Sequence, residues 1–449
     1  MRRPPNAAAA MEPEAPFDPF DPFAHGAIER AFPSTEAQRE IWLAAQTGEP
    51  ASLAYNEANA LRLRGALFAG ALQAALEQLG ARHQSLRATF SADGTQLLVA
   101  APGPFELPCV DLADIPEPER QRRILQARQA TVLQPFPLQH GPLFRAQLLR
   151  CAPDDHILLW SAHHAVCDGW SWTVLQDELG HLYAQQLGLG PALDPAPAYE
   201  HYARWQDSEA AGPGMAAHTH YWLHRFQGRN LPVLDLPIDR LRPAVRGFRS
   251  RRLDHLLGPE LLDPFRKLAA QAGATLYAAL FAAFATLLHR LSGQEDLVIG
   301  IASAGQLASD MPRLVGHCVN LLPVRLEAAT AQTPFDDLVR DSARLLLDAA
   351  DHQALTYSTL LRKLIVPRDP ARAPLVSVLF NIDTDTGRAS GFPGLEVQTE
   401  VIPRAYENFE LFLNMTPTQD GLRMEMQYNE DLFEQATIAR WLERWSSWR

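Results

Sequence analysis

The chain has 449 residues, which is enough for two domains of ordinary size, each with its own hydrophobic core. Hydrophobic residues make up 47% of the sequence and charged residues 20%, a balance typical of soluble globular proteins. The formal net charge of −12 argues against a nucleic-acid-binding protein, because such proteins normally present a basic surface. The four cysteines have no CxxC or metal-like spacing, which predicts reduced thiols in a cytoplasmic protein.

Residues 1–33 are rich in proline, alanine and acidic residues, and we expect this segment to be disordered because proline blocks regular hydrogen bonding. The segment contains no apolar stretch of the kind that a secretory signal requires. The longest apolar helix predicted farther along, Ala274 to Leu288, is too short to span a bilayer and is interpreted as a buried core helix. We therefore expect no membrane association.

An ordered N-terminal subdomain is predicted over residues 34–190. Thr35 and Gln38 have the spacing of a capping box, so the first helix begins there. Hydrophobic periodicity then predicts the following elements in chain order: strand 58–64, helix 67–79, a hairpin of residues 89–90 and 97–100, helix 118–133, strands 144–150 and 156–161, and helix 170–187.

A Gly/Pro-rich stretch, residues 187–198, marks the boundary to a C-terminal subdomain of residues 191–449. Helices are predicted near 216–226, 259–271, 274–291, 334–350 and 434–447. Strands are predicted near 249–256, 296–302, 319–327, 375–382, 410–416 and 422–428. This mixture of strands and helices predicts an α+β fold in each half.

The most informative segment runs from Ser161 to Trp170 and contains the sequence HHAVCDG between a predicted strand and a predicted helix. Adjacent histidines on a strand point to opposite faces, so one can face a cavity while the other packs inward. A buried Asp168 would need an arginine or a backbone N–H as a partner. A metal site is disfavoured, because neighbouring strand residues diverge and no further ligand cluster has suitable spacing.

HHAVCDG resembles the HHxxxDG motif of nonribosomal peptide synthetase condensation domains, which are acyltransferases similar to chloramphenicol acetyltransferase. Further segments resemble other motifs of that family, in the family's order: STEAQREIW (34–42), RHQSLRATF (82–90), YEHYARW (199–205), VGHCVNLLPVR (315–325), HQ (352–353) and RDPARAPL (368–375). The resemblance covers the chain after residue 33.

The resemblance implies a fold of two chloramphenicol acetyltransferase-like mixed α/β subdomains, forming a V-shaped pseudo-dimer with a central tunnel. It implies transfer of an acyl chain from the phosphopantetheine thioester of a donor carrier protein to an amine or hydroxyl, carried by a small molecule or a second carrier. No cofactor would be bound, since the phosphopantetheine arm comes with the carrier. We expect a monomer in nonribosomal peptide or hybrid polyketide biosynthesis. The sequence leaves open amide against ester, and a free-standing enzyme, which its N-terminal segment favours, against an excised domain.

The resemblance also implies roles for individual residues. His164 is the expected general base or stabiliser of the tetrahedral intermediate, and His163 is expected to pack behind it. Asp168 resembles a structural aspartate that an arginine holds, and Gly169 is expected to allow a turn and close approach of the pantetheine arm. The candidate arginines are Arg325, Arg87 and Arg39, and the expected substrate-binding residues are Asn320, Trp170 and Cys318.

Two other functions remain open at this point. The chain could be a catalytically silent module that docks carriers for recruitment, although the intact histidine motif argues against this. It could also be a coenzyme A-dependent acyltransferase, although such enzymes should lack the other family motifs. Six arginines between residues 240 and 252 are either a solvated face with internal ion pairs or a contact for an anionic carrier or its phosphate arm.

Overall fold

A computed structural model of the chain describes residues 27–226, 231–327, 333–367, 369–383 and 391–446. Residues 1–26 of the segment expected to be disordered lie outside the described residues. Each helix and strand predicted above is present, with its ends shifted by a few residues.

The first half of the chain contains seven strands and seven helices among the described residues. The strands are β1 (Ile28–Pro33), β2 (Asn56–Gly65), β3 (Ala88–Phe90), β4 (Gln96–Ala100), β5 (Cys109–Asp111), β6 (Phe144–Ala152) and β7 (Asp155–His163). The helices are α1 (Glu36–Ala45), α2 (Glu49–Leu53), α3 (Ala69–Arg82), α4 (Glu117–Leu133), α5 (Gly169–Gln186), α6 (Tyr199–Ala211) and α7 (Met215–Phe226). The predicted capping box at α1 is present, with Thr35 and Gln38 bonded reciprocally.

The second half contains seven further strands and six further helices in the described ranges. The strands are β8 (Ser250–Leu257), β9 (Asp296–Ala304), β10 (Val319–Glu327), β11 (Val378–Ile382), β12 (Leu395–Val401), β13 (Leu411–Thr418) and β14 (Gly421–Asn429). The helices are α8 (Pro259–Gln271), α9 (Leu276–Ser292), α10 (Gly305–Ala308), α11 (Phe335–Asp351), α12 (Tyr357–Lys363) and α13 (Gln435–Ser446).

A five-stranded mixed sheet, in the order β12-β2-β7-β6-β5, forms the centre of the first half. Side chains alternate between the two faces of strand β7, and both faces are buried. Leu158 and Trp160 pack in one hydrophobic cluster, while Ile157 and Leu159 pack in another with residues of α4. This two-sided burial explains why the strand is a continuous apolar run in the sequence, and it fixes the direction in which its end presents the two histidines.

A six-stranded mixed sheet, in the order β10-β9-β11-β13-β14-β8, forms the centre of the second half. Its middle strand, β11, is parallel to both β9 and β13, whereas the other pairs are antiparallel. The apolar helix α9 is buried in the same cluster as β11, and its Phe284 ring stacks on Phe380 at 5.7 Å. The prediction of a buried core helix is therefore confirmed.

Strand β1 corrects the expected start of order at residue 34. It pairs antiparallel with β4 from Ile28 to Pro33 and buries Phe32, so a third sheet, β1-β4-β3, begins six residues earlier than predicted. The proline-rich composition misled the prediction. Proline is tolerated at a strand end on the edge of a sheet, which is the place of Pro33.

The two halves of the chain, defined as the elements up to α7 and those from β8 onward, exchange structure. Strand β12 comes from the second half but pairs antiparallel with β2 of the first, in the register Leu395 to Gly65. Earlier in the second half, the segment that leads into β10 contacts the start of α5, where the N–H of Cys318 donates to the carboxylate of Asp168. The histidine motif at the end of β7 therefore lies where both halves of the chain meet.

Among the described helices, none is by itself long and apolar enough to cross a membrane. Helices α8 and α9 meet the length and composition criteria only as a pair, and they are bent by 109° relative to each other.

Candidate active site

The histidine motif occupies a tight connection between the end of β7 and the start of α5. Asp168 is the N-cap of α5, and its side chain accepts a hydrogen bond of 2.8 Å from the backbone N–H of Ser171. Aspartate favours this position because its carboxylate satisfies an N–H that has no partner within the helix. The cap fixes where the helix begins and therefore where the residues of the connection lie.

The two histidines point to opposite sides, as predicted from their adjacency. His163 is completely buried, with the rings of Tyr55 and Phe136 about 6 Å away, and its Nδ1 accepts from the N–H of Ala165 at 3.3 Å. Burial and the neighbouring His164 lower the pKa of His163 to about 3, so its ring stays neutral. The side chain of His164 is 19% exposed. His164 is thus the histidine of the pair that a substrate can reach.

The ring of His164 is held through Nδ1. This atom lies 3.0 Å from the carbonyl oxygen of Cys167 and 3.2 Å from Oε1 of Glu57. Both oxygens are acceptors, so Nδ1 must carry the hydrogen, and in the neutral ring Nε2 holds the free lone pair. The arrangement leaves Nε2 as the nitrogen that can take up a proton.

Glu57 is enclosed by donors from three parts of the chain. Its Oε2 accepts from the indole N–H of Trp172 at 2.9 Å, and its Oε1 accepts from Arg404, which also donates to Glu407 at 3.1 Å. Burial would raise the pKa of Glu57, but His164 and Arg404 outweigh it and hold this pKa well below its ordinary value. The carboxylate is therefore charged. Burial would likewise lower the pKa of His164, but Glu57 outweighs it and raises this pKa.

His317 covers the other side of the catalytic candidate. Its ring contacts that of His164 edge to face, with centroids 4.7 Å apart. Burial and the adjacent His164 hold the pKa of His317 well below its ordinary value. The ring of His317 is therefore uncharged where it packs against His164. The backbone carbonyl of His317 accepts from the hydroxyl of Tyr199 at 2.6 Å, which fixes the segment that carries it.

Asp168 is fully buried but has no arginine partner in the part of the chain that the structure describes, which corrects the role implied by the resemblance. Its carboxylate accepts from the hydroxyl of Ser171 at 2.7 Å, from Nε2 of Gln306 at 2.9 Å and from the backbone N–H of Cys318 at 2.9 Å. A buried carboxylate needs either a cation or hydrogen-bond donors, and Asp168 is satisfied by these neutral donors. Burial raises the pKa of Asp168.

The three candidate arginines have other partners. Arg325 is buried and forms a two-point ion pair with Asp296 at 2.9 and 2.6 Å. Arg87 bonds to Glu29 at 3.0 Å and to the carbonyl of Gly80 at 3.0 Å. Arg39 donates to the carbonyl of Ser34. All three stabilise their own subdomains, and none reaches Asp168.

The predicted substrate-binding residues are placed as follows. The amide of Asn320 donates to the carbonyls of Gln353 and Leu355 at 2.7 and 2.9 Å and accepts from the N–H of Tyr357, so it holds the loop before α12. Trp170 donates to the carbonyl of Pro312 at 2.8 Å. The thiol of Cys318 is buried among apolar residues, and its burial raises its pKa. These contacts give Asn320 and Cys318 structural roles, and the contact of Asn320, Trp170 and Cys318 with substrate stays a prediction.

Gly169 is exposed at the first position of α5, and a β-carbon placed on it would meet no atom within 4 Å. Its φ lies outside the left-handed region, so the turn itself does not require glycine. What glycine provides is open space beside the motif.

A scan of the chain against protein-family models matches residues 28–448 to the condensation domain family. The chain is a condensation domain. Its two mixed α/β subdomains have the chloramphenicol acetyltransferase-like fold of that family, which confirms the predicted fold class.

Curated relatives of this condensation domain include two synthases. It is 33% identical over 424 residues to one of the linear gramicidin synthase proteins of Brevibacillus parabrevis, covering 92% of this chain and 5% of that protein. It is also 33% identical over 412 residues to chondramide synthase cmdD of Chondromyces crocatus, covering 91% of this chain and 10% of that protein. The chain thus spans a small part of the length of these relatives.

Solved structures similar to this condensation domain include an X-domain and a domain of a polyketide synthase. The X-domain from teicoplanin biosynthesis matches with a TM-score of 0.80 and 26% identity, over 92% of this chain and 93% of that chain. The condensation domain of the Monacolin K polyketide synthase MokA matches with a TM-score of 0.82 and 22% identity, over 94% of this chain and 97% of that chain. The second likeness concerns the fold alone.

Sequence reasoning missed several groups around the histidine of this condensation domain: Glu57, Arg404, Glu407 and Trp172. One signal was available. Glu57 is a carboxylate next to the strand predicted over residues 58–64, and a charge buried in a sheet needs a specific partner. The partners themselves depend on pairing between β2 and β7, which sets Glu57 opposite Ala162, and on the return of the chain after β12.

The arginine-rich stretch of residues 240–252 forms ion pairs within the protein. Arg242 pairs with Glu410 at 2.7 Å, Arg249 with Asp431 at 2.7 Å and Arg252 with Asp254 at 2.8 Å. These contacts favour the solvated face with internal pairs over an open site for an anionic carrier.

The described residues hold no group of three or more histidine, cysteine or acidic side chains that could bind a metal ion.

Proposed function

We propose that this condensation domain transfers an acyl chain from the phosphopantetheine thioester of a carrier protein to an amine or hydroxyl acceptor, forming an amide or an ester. Condensation domains belong to nonribosomal peptide and polyketide-type synthetases and act on substrates that carrier proteins present. The observation that carries the proposal is the state of His164. It is a reachable imidazole whose Nδ1 is engaged by two acceptors, which leaves Nε2 as a base.

In the proposed reaction, the acceptor nitrogen or oxygen attacks the thioester carbonyl while Nε2 of His164 takes its proton. The tetrahedral intermediate collapses, the carbon–sulfur bond breaks, and the proton passes from His164 to the departing thiolate of the carrier. An alcohol depends on the base most, because it is a poor nucleophile near neutral pH, whereas an amine near pH 8 is partly unprotonated. The open space beside Gly169 supports a close approach of the pantetheine arm.

The remaining motif residues have supporting parts in this proposal. His163 is neutral and fully buried, and it packs behind the base. Asp168 binds the N–H of Cys318 and so holds the segment that carries His317 against His164. We further propose that the domain is a monomer, works in the cytoplasm, binds no cofactor of its own, and divides near residue 190.

The test follows a carrier protein loaded with an acyl-phosphopantetheine by intact-protein mass spectrometry. The domain is added with a pool of small amines and alcohols, in parallel with His164→Ala and with the acyl-coenzyme A thioester as an alternative donor. We expect loss of the acyl mass from the carrier that depends on both the acceptor and His164, and the product mass distinguishes amide from ester. Equal transfer from coenzyme A alone would identify a coenzyme A-dependent acyltransferase instead.

A recruitment module is the second candidate. The X-domain from teicoplanin biosynthesis, 25% identical in its solved complex with OxyB, has this fold with a TM-score of 0.79 and is described there bound to another protein. The contacts of His164 favour catalysis for the present chain. Tight binding of the loaded carrier without any transfer, across the whole acceptor pool, would decide for recruitment.

A further inference from the structure

We propose that Glu57 is a positioning residue for this reaction: its carboxylate fixes the ring of His164 with Nδ1 protonated, and Arg404 and Trp172 fix the carboxylate. This inference deepens the proposed function and rests on it for its catalytic meaning. Its structural content concerns the state of one histidine ring and can be tested without turnover.

The first support is the number of fixed contacts on one buried side chain. The side chain of Glu57 is only 11% exposed, yet Oε1 contacts both His164 and Arg404, and Oε2 accepts from Trp172. A carboxylate bonded at both oxygens cannot rotate without losing a bond to a buried donor, which is costly. It therefore presents its charge to Nδ1 from one direction.

The second support is that the carbonyl of Cys167, the other acceptor from Nδ1 of His164, cannot by itself fix the ring relative to the sheet. The carbonyl of Cys167 belongs to the same turn as His164 and moves with it, three residues along the chain. Glu57 belongs to β2 and is set by the pairing of β2 with β7. The carboxylate thus ties the ring to the sheet.

The third support is the origin of Arg404. It follows β12, whose pairing with β2 brings the second half of the chain onto the first sheet. The guanidinium bridges Glu57 and Glu407, while its backbone carbonyl accepts from Gln427 of β14 at 2.8 Å. Through Arg404 the orientation of the base depends on the docking of both halves.

The charged and titratable groups that face His164 come from every element around it. Glu57 from β2 and Asp168 at the start of α5 favour its protonated form, Arg404 opposes it, and His163 and His317 stay neutral. The net effect raises the pKa of His164, with Glu57 as the largest favourable contribution. Since a base acts when it is unprotonated, the transfer rate rises with pH through this raised pKa, and loss of Glu57 moves that rise to lower pH.

The first experiment measures the ring directly by nitrogen NMR of the histidine-labelled protein, with His164→Ala to assign the signal. We compare Glu57→Gln with a matched control, Glu178→Gln, which removes a buried carboxylate from a different histidine, His83, 2.8 Å away. We expect His164 of the wild type to carry hydrogen on Nδ1 and its pKa to fall in Glu57→Gln only. An unchanged tautomer and pKa in Glu57→Gln would overturn the proposal.

The second experiment measures acyl transfer across pH. We expect Glu57→Gln to lower kcat at least about 10- to 100-fold, the effect of removing a hydrogen-bond partner that orients a metal-ligating histidine, with KM for the loaded carrier unchanged. The rise of rate with pH should move to lower pH, and Glu57→Asp should restore part of kcat. A loss confined to KM, or a wild-type pH profile in Glu57→Gln, would contradict positioning.

If circular dichroism shows that Glu57→Gln folds poorly, Arg404→Gln tests the same proposal. This variant keeps Glu57 and removes the guanidinium that holds its carboxylate. We expect an intermediate fall in kcat and two tautomers of His164 in slow or fast exchange, and a single wild-type tautomer with wild-type kcat would contradict the role of Arg404. If the wild type transfers no acyl group but its His164 responds to Glu57→Gln as described, the positioning stands and the proposed function fails.

Discussion

Two buried clusters in this molecule combine the same three residue types, histidine, glutamate and arginine, in different surroundings. In one, Glu57 joins His164 and Arg404 at the meeting of the two halves. In the other, Glu178 of α5 joins His83 at 2.8 Å, Arg82 at 3.0 Å and Arg313 at 3.1 Å. The side chain of His164 is 19% exposed, whereas that of His83 is 1% exposed.

The comparison shows that a glutamate joined to histidine and arginine does not by itself mark a catalytic group. The cluster at Glu178 closes a contact between α3 and α5 and ties Arg313 to it, with the histidine nitrogen that contacts the glutamate enclosed by protein. The cluster at Glu57 engages the histidine at Nδ1 and leaves its ring open on one side. Access to one ring nitrogen, more than the nature of the partners, separates a proposed base from a structural histidine.

The largest expected effect separates the two histidines by activity. His164→Ala should lower acyl transfer per folded molecule about 10²- to 10⁴-fold, the usual contribution of a general base. His83→Ala should leave the rate per folded molecule unchanged and lower the melting temperature. Rates from carrier mass spectrometry, paired with calorimetry on the same samples, check both expectations. Comparable rate losses in the two variants would contradict the distinction.

The next effect concerns stability. Glu178→Gln should lower the free energy of unfolding by about 2–3 kcal/mol, because it leaves His83 and two arginines without their common carboxylate. The value lies below the full cost of breaking a buried ion pair, since the side chain of Arg313 is 48% exposed and can be solvated. Urea unfolding of Glu178→Gln against the exposed control Glu396→Gln measures it. A difference under about 0.5 kcal/mol would place Glu178 among ordinary surface charges.

The stabilisation provided by Glu178 should depend on pH in the acid range. Burial would raise the pKa of Glu178, but the hydrogen bonds from His83 and Arg82 outweigh it and lower this pKa to about 2. A folded-state pKa below the ordinary value means that the stabilisation is complete at neutral pH and is lost as pH falls from about 4.5 towards 2. The stability gap between wild type and Glu178→Gln should therefore shrink over that interval. A gap that stays constant down to about pH 2.5 in urea titrations would contradict the assignment.

The smallest effect tests Asp168, a buried carboxylate whose described partners are neutral donors. Asp168→Asn turns one acceptor into a donor that faces Gln306 or the N–H of Cys318, and we expect a loss of about 1–2 kcal/mol in the free energy of unfolding. The exposed control Asp111→Asn should change it by less than about 0.5 kcal/mol. Unchanged stability of Asp168→Asn in urea would show that an amide satisfies these donors equally well.

Much of the fold was predictable from the sequence because its elements carry local patterns. Helix α9 shows a long apolar run, α1 shows a capping box, and β7 shows a continuous buried strand. Strand β1 was missed because composition suggested disorder. Strand β12 was missed although LEVQTEV alternates, since its exposed edge position leaves a weak hydrophobic signal.

Only those features of the site that depend on residues close together in the sequence were predictable. The opposite directions of His163 and His164 follow from strand geometry alone. The partner of Asp168 was inferred by resemblance as an arginine, and the structure has Ser171, Gln306 and Cys318 there, which lie up to 150 residues away in sequence. The contact of Glu57 with Arg404, 347 residues apart, depends on how β12 returns to β2, and no local pattern encodes that return.

The return of β12 also has a consequence for synthesis of the chain. Strand β2 finishes at Gly65, but its outer partner begins at Leu395, about 330 residues later. At a translation rate of roughly 5–20 residues per second, that edge stays without its partner for roughly 15–65 s while the rest emerges. An open strand edge is a template for pairing between molecules. A ribosome-bound or truncated chain that ends before residue 395 therefore exposes the edge of β2 to pairing with other molecules.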